Sequence, residues 1–135
     1  MLAKDSNSGI YVMGEYEIQV FDSFAKKETT SSDMGAIYGV VPPRVNASKP
    51  PGEWQRYVIE FRAPRFDENG KKTANGRFLK IVLNDRIIHE NVELDGVCAG
   101  GITGQESPAG PIMFQGDHGP VAYRNIRITD LSDRP

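Results

Sequence analysis

A single cysteine, Cys98, stands in the 135-residue chain, so an intrachain disulfide and a multi-thiolate metal centre are both excluded. No apolar run approaches the ~20 residues of a membrane-spanning helix. Charge of neither sign dominates: the formal net charge is -2, acidic and basic residues alternate, and no basic stripe offers itself to a nucleic-acid backbone. No Cys/His cluster has zinc spacing, no glycine-rich phosphate loop follows a strand, and no Gly-x-Ser-x-Gly elbow occurs. The opening Met1-Leu2-Ala3-Lys4-Asp5 turns polar at once and carries no signal-peptide pattern. Helical periodicity is missing throughout. What the chain has instead is turn chemistry: 14 glycines and 9 prolines divide short runs of alternating residues, the pattern of a single all-β domain spanning residues 1–135.

The run that organises the chain is Tyr16–Ser23. In strand periodicity Tyr16, Ile18 and Val20 point to one side and read as core, while Glu17, Gln19 and Phe21 point to the other. Glu17 and Gln19 then lie roughly 6–7 Å apart on one face, a carboxylate and an amide suited to a hydroxyl-rich ligand. A half-solvated strand with its polar face in water is the plainer reading of the same pattern. The preceding run, Gly9–Met13, is separated from it by Gly14-Glu15, which suits a tight hairpin or a bulge. Residues 23–33 read as an exposed loop, and Met34–Val41 as a short strand or an ordered loop. Pro42-Pro43 and Pro50-Pro51 keep the stretch between them extended and out of a sheet interior.

Further on, Trp54–Ala63 reads as a strand with Tyr57, Ile59 and Phe61 on one side, ended by Pro64. Asp67-Glu68-Asn69-Gly70 is a turn; its oxygens are also candidate calcium ligands, although the spaced glutamate of an EF-hand loop is absent and a plain turn is the stronger reading. Phe78–Leu83 and Arg86–His89 flank Asn84-Asp85 as a hairpin, with Val92 and Leu94 continuing. Residues 95–110 hold five glycines without periodicity and form a long loop. Pro111–Gln115 and Val121–Ile128 are expected to close the fold as a hairpin, and a phase slip in the second predicts a bulge near Arg124-Asn125.

Taken in order, Asn7-Ser8-Gly9-Ile10-Tyr11, Tyr16–Ser23, Gly35-Ala36-Ile37-Tyr38-Gly39, Asn46-Ala47, Pro51–Gln55, Phe61–Phe66, His89–Leu94, Gln115–Gly119 and Tyr123–Ile126 together resemble the 3-keto-disaccharide hydrolase domain of the concanavalin A-like lectin/glucanase superfamily, from about Asp5 to Leu131. The resemblance implies a jelly-roll β-sandwich of two antiparallel sheets, one of them concave and able to cradle sugar. It implies an activity as well, cleavage of glycosidic bonds in 3-keto sugars or a related elimination. Relatives begin with opening strands upstream of Asn7-Ser8-Gly9-Ile10, so the sandwich is expected to be incomplete at its N-terminus and to pair with a second copy through exposed sheet. A bacterial periplasmic or secreted location is likewise what the resemblance suggests.

The candidate catalytic residues are Glu17, as acid or base, and His118, whose imidazole titrates near neutral pH. Gln19, Asp22, Trp54, Arg56, Gln115 and Arg124 are the candidates for saccharide contact. Each has an ordinary alternative: loop capping for Asp22, core packing for Trp54, surface ion pairs for Arg56 and Arg124, an exposed turn for His118. His89, at a strand end, reads as structural or surface. Three readings stay open at this stage: a 3-keto-glycoside-cleaving enzyme, a carbohydrate-binding module without turnover, and an inactive remnant that folds as an oligomer.

Overall fold

The computed structural model describes residues 1–131. Every regular element among them is a strand. β1 (Asn7–Val12) and β2 (Tyr16–Phe21) form a hairpin, followed by β3 (Tyr57–Arg62), β4 (Arg65–Phe66), β5 (Lys72–Ala74), β6 (Gly76–Leu83), β7 (Arg86–Leu94) and β8 (Met113–Phe114). They assemble into an antiparallel sheet in the order β2-β1-β8, a second in the order β3-β6-β7, and a small β4-β5 ribbon. The two larger sheets make an all-β sandwich of jelly-roll type.

Alternation decides which faces meet. Tyr16, Ile18 and Val20 of β2 are buried against Phe78, Ile81 and Leu83 of β6 and Ile88 and Leu94 of β7. Each large apolar side chain buried this fully contributes about 1.5–3 kcal/mol. Tyr57, Ile59 and Phe61 of β3 pack on the same core, and Phe61 stacks obliquely between Tyr16 and Phe78. Two polar contacts tie the layers together. The Tyr57 hydroxyl donates to the Gln19 carbonyl at 2.9 Å, and buried His89 meets the Gly35 carbonyl through Nε2 at 2.9 Å. Asn84 and Asp85 both adopt positive φ (48° and 65°), the conformation that a two-residue hairpin turn demands.

Several expected elements differ in extent. Arg86–Leu94 is one continuous strand rather than two runs, because a register shift at Ile81/Val82 lets its pairing with β6 continue. Met34–Val41 is an ordered segment on the open edge of β2: the Gly35 and Tyr38 amides bond the carbonyls of Gln19 and Glu17, and the Gln19 amide bonds that of Ala36. The polar stretch 23–33 is not simply exposed, since buried Asp33 gathers Ser23, Lys26 and Thr30 around its carboxylate. In the Asp67 turn, Oδ1 accepts the amides of Asn69 and Lys71.

The closing hairpin does not form. Only Met113–Phe114 joins a sheet, and residues 121–131 make no strand. Asn125 takes positive φ (54°) where a bulge was expected, which breaks the extended run before a ladder can be established. Tyr123 still anchors the segment, with its ring 4.5 Å from that of Phe114 and its hydroxyl 2.7 Å from Ser8 Oγ.

Candidate functional site

The site begins with the β1-β2 register. A three-residue turn, Met13–Glu15, pairs Val12 with Tyr16, which places Tyr11 opposite Glu17 and Gly9 opposite Gln19. Directly opposed residues share a face, so Asn7, Gly9 and Tyr11 lie beside Glu17 and Gln19 on the side away from the core. β8 extends this face: the Gln115 amide bonds the Gly9 carbonyl at 3.0 Å, and the Gln115 carbonyl accepts from Ser8 Oγ at 2.6 Å.

Three segments wall the face in. The Asp33-braced segment supplies Tyr38 on one flank. The turn carrying His118 is held on the other, where the Pro120 carbonyl accepts from the Leu2 amide and from Ser6 Oγ. The glycine-rich loop 95–110 closes the end, fastened by Glu15, whose carboxylate accepts from the Thr103 amide and hydroxyl, both at 2.7 Å, and from the Gly104 amide at 3.0 Å. Glu106 adds a second fastening, to the Tyr16 hydroxyl at 2.8 Å and Lys72 Nζ at 2.6 Å. The result is a cleft of about 290 Å³ lined by Asn7, Tyr11, Glu17, Gln19, Tyr38, Ala99, Gly100, Gln115 and His118.

The electrostatics follow from this enclosure. Glu17 is only 3% exposed. Burial pushes its carboxyl above the ordinary carboxylate range, and the Tyr11 hydroxyl and the charge of His118 offset only part of that. Tyr11 is pushed up in turn by burial and by the neighbouring carboxylate. His118 Nδ1 lies 2.5 Å from Asp117 Oδ1, and that contact holds the Asp117 carboxyl below its usual range. Gln19 turns Oε1 back onto the Val20 amide at 3.0 Å, so toward the cleft it offers a donor. A carboxyl with a raised pKa, an imidazole and three amide side chains therefore face one small cleft.

With that geometry established, sequence comparison identifies the chain's relatives. The profile of the 3-keto-alpha-glucoside-1,2-lyase-like domain matches residues 1–129. The chain belongs to this family. Among solved structures, a candidate glycosyl hydrolase from Parabacteroides distasonis ATCC 8503 is similar at a TM-score of 0.70 and 30% identity. The match covers 84% of this chain and 50% of that one, so the chain spans about half the length of that protein. No curated protein matches the chain. The family inferred from the ordered motifs is thus the one found, and the all-β sandwich agrees with the neighbour's fold.

Within this family domain the expected site residues separate into two groups. Glu17, Gln19, Gln115 and His118 come together in the cleft. Asp22, Trp54, Arg56 and Arg124 lie elsewhere. Asp22 caps the end of β2, accepting the Asp5 and Phe24 amides. Arg56 pairs with Asp85 at 3.3 Å on the surface. Trp54 neither plugs the core nor reaches the cleft: it is 46% exposed, and the Arg124 guanidinium covers one ring face at 3.8 Å, so these two residues satisfy each other. Sequence reading missed Asn7, Tyr11 and Tyr38. Tyr11 was within reach, since counting back from the Met13–Glu15 turn puts it opposite Glu17. Tyr38 was not, because its placement depends on the Asp33 brace.

Proposed function

We propose that the cleft binds a saccharide carrying a ketone at C3 and cleaves its glycosidic bond by elimination. The observation that supports this reading is the convergence of Glu17 and His118 on one cleft beside Gln19 and Gln115. A C3 ketone acidifies the C2 proton. Glu17, with its raised carboxyl pKa, takes that proton as general base. The C1–O bond then breaks as the C1–C2 double bond forms, and His118 delivers a proton to the departing oxygen. Amide donors from Gln19 and Gln115 polarise the ketone and hold hydroxyls, stabilising the negative charge that develops on the carbonyl oxygen. Addition of water to the unsaturated product completes a net hydrolysis. The modest volume of the cleft, at the lower end for small-molecule sites, suits one sugar ring inside with the leaving group outside.

The decisive experiment incubates the protein with 3-keto-glucosides and with their unoxidised parents, following aglycone release. Release from the keto sugars alone is expected. Glu17→Gln and His118→Ala should each lower turnover by about 10²–10⁴-fold while substrate binding persists. Binding without turnover in the parent protein would make the domain a carbohydrate-binding module, and turnover of the unoxidised glucosides alone would make it an ordinary glycosidase.

A further inference from the structure

Tyr11 is 1% exposed and sits directly across the β1-β2 ladder from Glu17, yet it is not one of the groups that proton transfer requires. Its surroundings are built around its hydroxyl. A Cβ at Gly100 would come within 2.9 Å of that oxygen, and Gly100 holds φ at +81°, so the loop passes over the phenol at a position where a side chain would be both strained and obstructed. On the other side the Glu17 carboxylate lies against the bare Cα of Gly9, where a Cβ would overlap Oε1. The carboxylate is thus confined between a backbone that makes room for it and a phenol fixed by the loop.

We propose that Tyr11 is a positioning residue for Glu17, its hydroxyl donating to the carboxylate and holding it in the space that Gly9 leaves open, while Gly100 leaves room for the phenol. This inference rests on Glu17 acting as the base of the cleft. The titratable groups that face Glu17 are Tyr11 from β1, His118 with Asp117 from the closing turn, Cys98 from the glycine-rich loop and Tyr123 from the C-terminal segment, with Tyr38 near Tyr11 on the other flank. Of these, Tyr11 is the one placed directly opposite Glu17 on the neighbouring strand. A donor to the ionised form lowers a carboxyl pKa, so Tyr11 opposes the upward push of burial and keeps Glu17 available as a base toward neutral pH.

Tyr11→Phe tests this, because the ring stays under the loop and only the donor is lost. The acid limb of the pH profile for keto-sugar cleavage should move upward by about 1–2 pH units, the order expected for losing one hydrogen bond to a charged group, with kcat falling more than KM changes. The Glu17 carboxyl, followed by carbon-13 NMR, should titrate higher by the same amount. An unchanged Glu17 titration in Tyr11→Phe overturns the inference. A shifted titration with an unshifted rate profile keeps the contact and instead removes Glu17 from the role of base, so the two failures are distinguishable. Should Tyr11→Phe not fold, Glu17→Gln supplies the reciprocal reading: the Tyr11 phenol resonance should shift and its hydroxyl ionise more readily, and an unmoved resonance would sink the proposal.

Discussion

At the scale of single residues, the two buried glutamates of the β1-β2 hairpin have opposite roles. Glu17 has its pKa raised and faces the cleft. Glu15 is 5% exposed and faces the glycine-rich loop. Burial pushes the Glu15 carboxyl up, but the Thr103 hydroxyl and amide and the Gly104 amide outweigh burial, and the net shift is downward. A carboxyl whose pKa is depressed in the folded state contributes stability that is present above its unfolded pKa and is lost as pH falls through the folded value. Acid should therefore loosen the loop at Thr103 and Gly104, whose amides should exchange hydrogen faster than at neutral pH, while Glu106 still fastens its far end to Tyr16 and Lys72. Glu15→Gln should cost about 1.5–3 kcal/mol, the scale of a hydrogen bond to a charged group, measured by urea unfolding at pH 7. Below the folded pKa of Glu15 the parent and variant should converge. A gap that persists there would mean that Glu15 acts by packing, not by charge.

At the scale of elements, the β1-β2 hairpin was the most legible part of the chain. Strict alternation in Tyr16–Phe21, a short turn and a glycine at position 9 give its faces, its register and, through them, the core of the cleft. Gly9 allows a test of that register. Its partner across the ladder is Gln19, but the atoms that a Cβ would strike are Oε1, Cδ and Cγ of Glu17, all of them side chain and not backbone. Gly9→Ala should therefore cost about 1–3 kcal/mol, the scale of overpacking a filled site, without breaking the ladder, since Ala is no worse than Gly in a strand. It should nonetheless displace the Glu17 carboxylate and cut keto-sugar turnover at least tenfold. A Gly9→Ala protein with parental turnover would mean that the carboxylate does not occupy the space over Gly9 during catalysis. The C-terminal segment was the least legible element. Val121, Tyr123, Ile126 and Ile128 have the composition of a strand, but composition does not supply a neighbour to bond to. The same limit applies to Trp54 and Arg124: each is a reasonable sugar-contacting residue alone, and only the folded chain shows that they stack on one another.

At the scale of the whole molecule, the second sheet ends at β3, and the C-terminal segment passes along that flank without joining it as a strand. Between them lies a groove of about 550 Å³ in which the charged Arg62, Arg65 and Asp130 flank Phe61, Ala63, Leu79, Thr129 and Leu131. Ile126 and Ile128, 57% and 74% exposed, carry apolar surface outward on the same segment. An edge strand beside exposed β-branched residues is a surface that pairs with another chain, and two copies meeting about a two-fold axis would cover both flanks at once. The expected state at micromolar concentration is therefore a homodimer. Sedimentation velocity across a hundredfold concentration range should show the monomer–dimer transition, and Ile128→Lys should shift it toward monomer. Because the cleft lies on the outward face of the other sheet, that substitution should leave the Glu17 and Tyr11 titrations where they were. A parent protein that sediments as a single monomer throughout would show that this flank stays open to solvent without a second copy.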